Sequence, residues 1–174
     1  MILVVGGAGY IGSHLVKELI TNEEVVILDN LSTGFRSLVD SRAVFVEGNL
    51  GDESVLEYIF TTYPIKAVMH FAANSLVGES VLHPYKYYQN NVAATLTLLN
   101  SMIKHNVKNF IFSSTAATYG IPNVELIDEE QPTNPINPYG RSKLMIEQVL
   151  EDFSNAYGLH YVVLRYFNAA GAHE

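Results

Sequence analysis

Met1-Ile-Leu-Val-Val-Gly-Gly-Ala-Gly-Tyr-Ile-Gly12 opens the chain, and Val25-Val-Ile-Leu-Asp29 follows one helix later. The apolar run Ile2 to Val5 reads as a buried strand, while Ile11, Leu15, Val16, Leu19 and Ile20 recur at the spacing of one helix face. The Gly-x-Gly-x-x-Gly sequence at 7–12 therefore sits between a strand and a helix, the setting in which such a motif carries meaning. Its glycines divide the work: Gly7 permits a tight turn, Gly9 lets a pyrophosphate approach the backbone, and Gly12 lets helix and strand pack closely. The helix N-terminus adds unpaired N–H groups and positive potential. Asp29 ends the second strand, where a carboxylate accepts from ribose hydroxyls and repels a 2′-phosphate. NAD is expected rather than NADP.

Outward from this unit the pattern repeats. Val44 to Val46, Ala67 to Phe71, Asn109 to Phe112 and Tyr161 to Arg165 read as further strands. Helical periodicity lies between them at Val55, Ile59, Phe60 and Tyr63, and again at Tyr88, Val92, Leu96, Leu99, Met102 and Ile103. Strands apolar throughout expect cover on both faces, so the fold class is α/β, a doubly wound parallel sheet of the Rossmann type with right-handed crossovers. Ser114 to Asn137 is the one long irregular stretch. Asn137-Pro138 then starts a helix as N-cap and first residue, and Gly158 ends it.

With 174 residues the chain is expected to be one domain. Ten basic residues against eighteen acidic give a net charge of −8, which repels phosphodiester backbones and anionic lipid. Neither nucleic acid nor membrane is an expected partner, and any anionic ligand must be held by local dipoles. There is no cysteine, hence no disulfide framework or thiolate zinc site, a composition that fits a reducing cytoplasm. The opening apolar run lacks a basic leader and meets glycine too early for a signal peptide or a membrane span. The six histidines show no H-x-H or H-E-x-x-H spacing, so no metal is expected. Asp128-Glu129-Glu130 reads as a solvated charge run, and Gly-x-Ser-x-Gly is absent.

Tyr139-Gly-Arg-Ser-Lys143 falls in the first turns of the helix that begins at Pro138, so Tyr139 and Lys143 share a face at i and i+4. A phenol titrates near about 10, too high for a general base at neutral pH. A neighbouring ammonium and a cationic nicotinamide favour the phenolate and make it a usable proton acceptor.

With these motifs the chain resembles the extended short-chain dehydrogenase/reductase family. The resemblance runs through Gly-Gly-Ala-Gly-Tyr-Ile-Gly-Ser-His at 6–14, Leu-Asp-Asn-Leu at 28–31, His-Phe-Ala-Ala at 70–73, Val-Gly-Glu-Ser at 77–80, Tyr-Tyr-Gln-Asn-Asn-Val at 87–92, Asn-Phe-Ile-Phe-Ser-Ser-Thr at 109–115, Pro-Tyr-Gly-Arg-Ser-Lys at 138–143 and Leu-Arg-Tyr-Phe-Asn at 164–168. Within the family the likeness is to members that invert C4 of a UDP-hexose, interconverting UDP-glucose and UDP-galactose through a 4-keto sugar. The resemblance implies Tyr139 as base, Lys143 as its activator and a ligand of the nicotinamide ribose, and Thr115 as a hydrogen-bond partner of the sugar 4-oxygen. It implies NAD contacts from Tyr10, Ile11, Asn30, Asn49, Leu50, Phe71, Ala72, Ala73, Ser75, Asn90, Ser113 and Phe167, beside Gly7, Gly9, Gly12 and Asp29. Asn168 is expected to touch the sugar nucleotide, and a homodimer is expected through helices at 88–104 and 139–157.

Three positions depart from the family pattern: Val5 replaces a threonine, Asn49 an aspartate that accepts from the adenine amino group, and Ser75 a lysine of some relatives. Relatives extend well beyond residue 174, so residues 1–174 are expected to be the NAD-binding Rossmann domain without the C-terminal substrate domain, able to hold NAD but with little epimerase activity alone. Two alternatives stay open. One is another nucleotide-sugar enzyme, a dehydratase or decarboxylase, although Ala116 and Ala117 leave no acid after Thr115 to expel water. The other is an NAD-binding module without turnover.

Overall fold

The computed structural model describes residues 1–172. The strands β1 (Ile2–Val5), β2 (Val25–Asp29), β3 (Val44–Glu47), β4 (Ala67–His70), β5 (Asn109–Thr115) and β6 (His160–Tyr166) form one sheet in the order β3-β2-β1-β4-β5-β6. All neighbours run parallel. The chain winds from β1 out to β3, then crosses back to β4 and winds the other way, so the strand order reverses between β1 and β4. That reversal opens a crevice beyond the C-terminal ends of the strands, where ligands bind in folds of this class.

Around the sheet lie α1 (Tyr10–Leu19), α2 (Glu53–Thr62), the short α3 (Val77–Leu82) and α4 (Pro84–Tyr87), α5 (Ala94–Lys104) and α6 (Pro138–Tyr157). Strand residues alternate between two layers. Leu3, Val5, Val26, Leu28, Val68, Phe110 and Phe112 meet Leu56, Ile59, Leu98, Leu99, Met102, Ile146 and Leu150 of α2, α5 and α6 in the main core. Val4, Val25 and Ile27 turn to the opposite face, against Val16 and its neighbours on α1. Each such side chain, fully buried, contributes roughly 1.5–3 kcal/mol relative to exposure. Among the described residues no helix is long and apolar enough to cross a membrane.

The doubly wound sheet and the caps follow the sequence reading. Asn137 accepts from Gly140 N at 2.8 Å, Pro138 opens α6, and Gly158 closes it at φ 67°. Three local features differ. β5 runs on to Thr115, because β6 pairs with it that far and the Thr115 hydroxyl then accepts from Ala117 N to start a 3-10 turn at Ala116–Thr118. The irregular stretch is correspondingly shorter. The helix expected from Tyr88 begins as a π-helical turn over Tyr88–Ala93, held wide by Asn91, whose side chain bonds both the N–H and the carbonyl of Asn74 at 2.9 Å. Cover on both faces fails at β6, where Tyr161, Val162 and Leu164 are exposed; among the strands it alone has an edge on this side, and α6 packs on one face only.

Candidate cofactor and catalytic site

The glycine turn is shaped by backbone crowding. Gly6 has φ +84°, and a Cβ there would lie 2.6 Å from Ala72 N, so the turn presses against the end of β4. A Cβ on Gly12 would lie 2.2 Å from the Gly6 carbonyl oxygen, which brings α1 directly onto the turn. Gly7 packs against Ile27 instead. Gly9 faces open space: its Cβ would meet nothing nearer than Gly6 O at 3.4 Å. Gly9 is also the N-cap of α1, and no side chain caps it. The N–H groups of the first turn, at Tyr10 and Ile11, thus point out of the fold at the crevice with the positive end of the helix behind them. A neutral, donor-rich cradle of this kind fits the pyrophosphate of a dinucleotide.

Asp29 has a second job that its spacing did not reveal. Its carboxylate is buried and accepts from Ala8 N at 2.9 Å and Leu31 N at 2.8 Å, which braces the glycine turn and the loop after β2. Each oxygen keeps a further lone pair for a ribose hydroxyl. Asp29, Asn30, Ser32, Thr33, Leu50 and Asn90 line one cavity with Ala72 and Ala73 as its apolar wall. A neighbouring cavity of about 730 Å³ carries Asn49, Gly51, Lys86 and Gln89 beside Asn30.

At the other end of the crevice α6 and β5 bring Tyr139, Lys143 and Thr115 together. Tyr139 is part-buried; burial pushes its phenol up from the ordinary value, and a hydrogen bond with the Thr115 hydroxyl pulls the other way. Lys143 is buried, donates to the Ser113 carbonyl at 2.6 Å and lies 4.7 Å from the centre of the Phe112 ring. Loss of hydration pushes its ammonium down to about 7, against the nearby Glu147, which raises it. The i, i+4 spacing assigns the phenol's activation to Lys143; in the structure the Thr115 hydroxyl favours the phenolate. The Tyr87 ring meets Tyr139 edge-on at 6.5 Å and is itself tied to Glu79 at 2.8 Å.

The model of the NAD dependent epimerase/dehydratase family matches residues 2–174. The chain belongs to that family. Its similarity to the UDP-glucose 4-epimerase of Halalkalibacterium halodurans is 56% identity over 172 residues, covering 98% of this chain and 51% of that protein. The UDP-glucose 4-epimerase structure from Brucella ovis in complex with NAD superposes with a TM-score of 0.96 at 51% identity, covering 99% of this chain and 53% of that one. The Thermotoga maritima UDP-glucose 4-epimerase with UDP-glucose gives 0.93 at 43% identity, covering 98% and 56%. The chain thus spans about half the length of the relatives it matches.

Within this member of the epimerase/dehydratase family most expected residues converge on the crevice. Phe71 is an exception in kind: half-buried, it packs toward α1 and its N–H extends the β1–β4 ladder to Val5 O at 2.8 Å. Ser113 acts through its carbonyl. Ser75 is exposed, and no contact ties it to the cradle. Phe167 and Asn168 are exposed just beyond β6, whose last residue, Tyr166, pairs with Thr115; Phe167 lines a groove with Tyr161, Leu164 and Arg165. Sequence reasoning missed Ser32 and Thr33, which share a cavity with Asp29. It also missed Asn91, which bonds Ser142 Oγ at 3.1 Å and so ties the π-helical turn to α6 beside the Tyr–Lys pair. The doubled asparagine at 90–91 was the available signal.

Proposed function

We propose that the chain binds NAD across this crevice and carries the oxidation site of a UDP-hexose 4-epimerase. The observation that carries the reading is Tyr139 at the start of α6 with a buried Lys143 one turn on, fixed by the Ser113 carbonyl at 2.6 Å, at the end of a crevice that begins in the glycine cradle. The pyrophosphate lies on the first turn of α1, the adenosine ribose on Asp29, and the nicotinamide end toward Tyr139 and Lys143. The relatives solved with NAD and with UDP-glucose support both ligands.

NAD, when bound, supplies a hydride acceptor and donor for the sugar C4. Tyr139 takes the proton of the 4-hydroxyl as C4 is oxidised, and returns it to the 4-oxygen after the sugar has turned its other face. When the sugar binds, the single Thr115 hydroxyl proton turns from the phenol to that oxygen and holds it beside Tyr139. Lys143, fixed by Ser113, places a cation near the phenol and the cofactor ribose, so the phenolate is favoured once the site fills. Phe167 and Asn168, which follow directly on the Thr115 partner Tyr166, would complete the sugar side of the site. Water elimination has less support: Ala116 and Ala117 follow Thr115 and offer no acid. A homodimer through the outer faces of α5 and α6 belongs to the same proposal.

The test has two parts. Denaturing the purified protein is expected to release NAD, identified by mass; NADP, or nothing after attempted loading, overturns the cofactor reading. Tyr139→Phe is expected to retain that NAD and lower UDP-galactose conversion at least about 10²–10⁴-fold. Undiminished conversion removes Tyr139 from its role.

A further inference from the structure

The N–H of Tyr10 belongs to the first turn of α1, but its hydroxyl reaches a distant part of the chain, donating to the Gly171 carbonyl at 2.6 Å. The ring is braced for this. His14, one turn on, meets it edge-on at 5.1 Å between centres, and His14 Nδ1–H donates to the Tyr10 carbonyl at 2.8 Å. Gly171 turns its own carbonyl to the hydroxyl at φ 134°, a backbone setting that other residues rarely adopt.

The other end of this segment is pinned as well. Tyr166, the last residue of β6, pairs with Thr115 at the catalytic end of the crevice. From β6 to the start of α1, which follows β1, the sheet order passes β5 and β4, three strand intervals or about 14–15 Å. The chain from Tyr166 to Gly171 reaches at most about 17–18 Å. Residues 167–171 therefore have no length for a wide detour, and they cross the C-terminal ends of β5 and β4 over the reversal where the crevice opens. Little else holds them there. Phe167, Asn168, Ala169, Ala170 and Gly171 are all exposed, and among the described residues the Tyr10 bond is the one hydrogen bond this segment makes.

We infer that residues 167–171 form a strap across the cofactor crevice, latched by the Tyr10 hydroxyl, and that a dinucleotide enters and leaves when this latch opens. The inference rests on the NAD reading above. The proposed chemistry suits such a strap: the hydride taken from C4 is returned to C4, so the cofactor ends each turnover as it began and need not exchange. A latch governs both directions of exchange, and breaking it speeds entry and exit by one factor. A residue that grips the cofactor itself would alter exit alone.

The experiment follows NADH fluorescence by stopped flow on the nucleotide-stripped protein and its Tyr10→Phe variant, which keeps the ring and the main-chain N–H. Loss of one neutral hydrogen bond is expected to speed association and release together, each about three- to tenfold, with their ratio unchanged. Faster release with unchanged association makes Tyr10 a cofactor contact instead of a latch, and unchanged rates show that the strap does not bar the path; either result overturns the inference. The chain has no cysteine, so a second variant, Tyr10→Cys with Ala172→Cys, offers two thiols for a short dimaleimide. Bridging them is expected to stop exchange in both directions, and free exchange through the bridged protein overturns the inference too. No NADH binding by the unaltered protein is a separate result: it sinks the cofactor reading, and the strap's role falls with it.

Discussion

Lys143 is buried with one backbone carbonyl as its hydrogen-bond partner, and that arrangement has a thermodynamic signature. In the unfolded chain the amine keeps its ordinary value near 10.5, whereas in the fold it loses its proton near 7. Between those values the unfolded state binds the extra proton, so this site's contribution to stability rises with pH from about 7 to about 10.5. Below pH 7 the full cost of burying the ammonium applies. Lys143→Met is therefore expected to raise stability by an amount on the order of 4 kcal/mol at pH 6, a gain that shrinks to nothing above pH 10.5. Thermal unfolding followed at pH 6, 8 and 10.5 measures it, and a gain independent of pH would show that packing rather than charge is responsible. His70, by contrast, is held neutral through the physiological range: burial pushes it down to about 3, and its Nε2 pairs with Thr95 Oγ1 at 3.0 Å.

At the scale of elements, α6 must be held still for Tyr139 and Lys143 to keep their places. Glu147, one turn beyond Lys143, does this: it takes a hydrogen bond from Ser114 of β5 and a forked pair from Arg165 of β6, with Nη2 at 2.6 Å. Arg165 in turn lies 4.9 Å from the centre of the Tyr119 ring. Glu147→Ala leaves the guanidinium without its partner and is expected to cost about 2–4 kcal/mol in urea denaturation. Glu147→Gln, which keeps one hydrogen bond, is expected to cost less. Two of the helical glycines, Gly12 and Gly78, separate crowding from propensity. Gly12→Ala drives a methyl onto the Gly6 carbonyl and is expected to destabilise by about 2 kcal/mol or more while abolishing nucleotide binding. Gly78→Ala, with nothing within 4 Å, is expected to be neutral or to stabilise by about 0.5–1 kcal/mol. Equal effects from the two would contradict the packing of α1 on the turn.

Taken as a whole, the molecule carries a net charge of −8, so the proposed pyrophosphate site must draw on fixed dipoles. In that reading backbone N–H groups and a helix end supply the attraction. Fixed dipoles at close range are screened far less than mobile side-chain cations reaching across solvent. NAD affinity is therefore expected to change less than about threefold between 50 mM and 500 mM NaCl; a tenfold loss would point to cationic side chains on the pyrophosphate. At the other end of the sheet the exposed edge at β6, with Tyr161, Val162 and Leu164 facing outward, is its least protected part.

What could be read in the residues was whatever local order encodes. Ile2 to Asp29 specified strand, glycine turn, helix, strand and acid, since periodicity and glycine spacing are properties of neighbours along the chain. Tyr139 and Lys143 were legible for the same reason, as two positions on one helical face. Contacts between distant segments were not. That Asp29 braces the Ala8 amide, that Asn91 spans Asn74 and Ser142, and that Glu147 clamps Arg165 are consequences of strand order. So is the downward shift of Lys143, because desolvation depends on what packs around a group rather than on what precedes it. The sequence by itself determined the kind of sheet and the chemistry available along its edge. Only the tertiary structure decided which side chains share that chemistry, because hydrogen bonds and dielectric screening act through space.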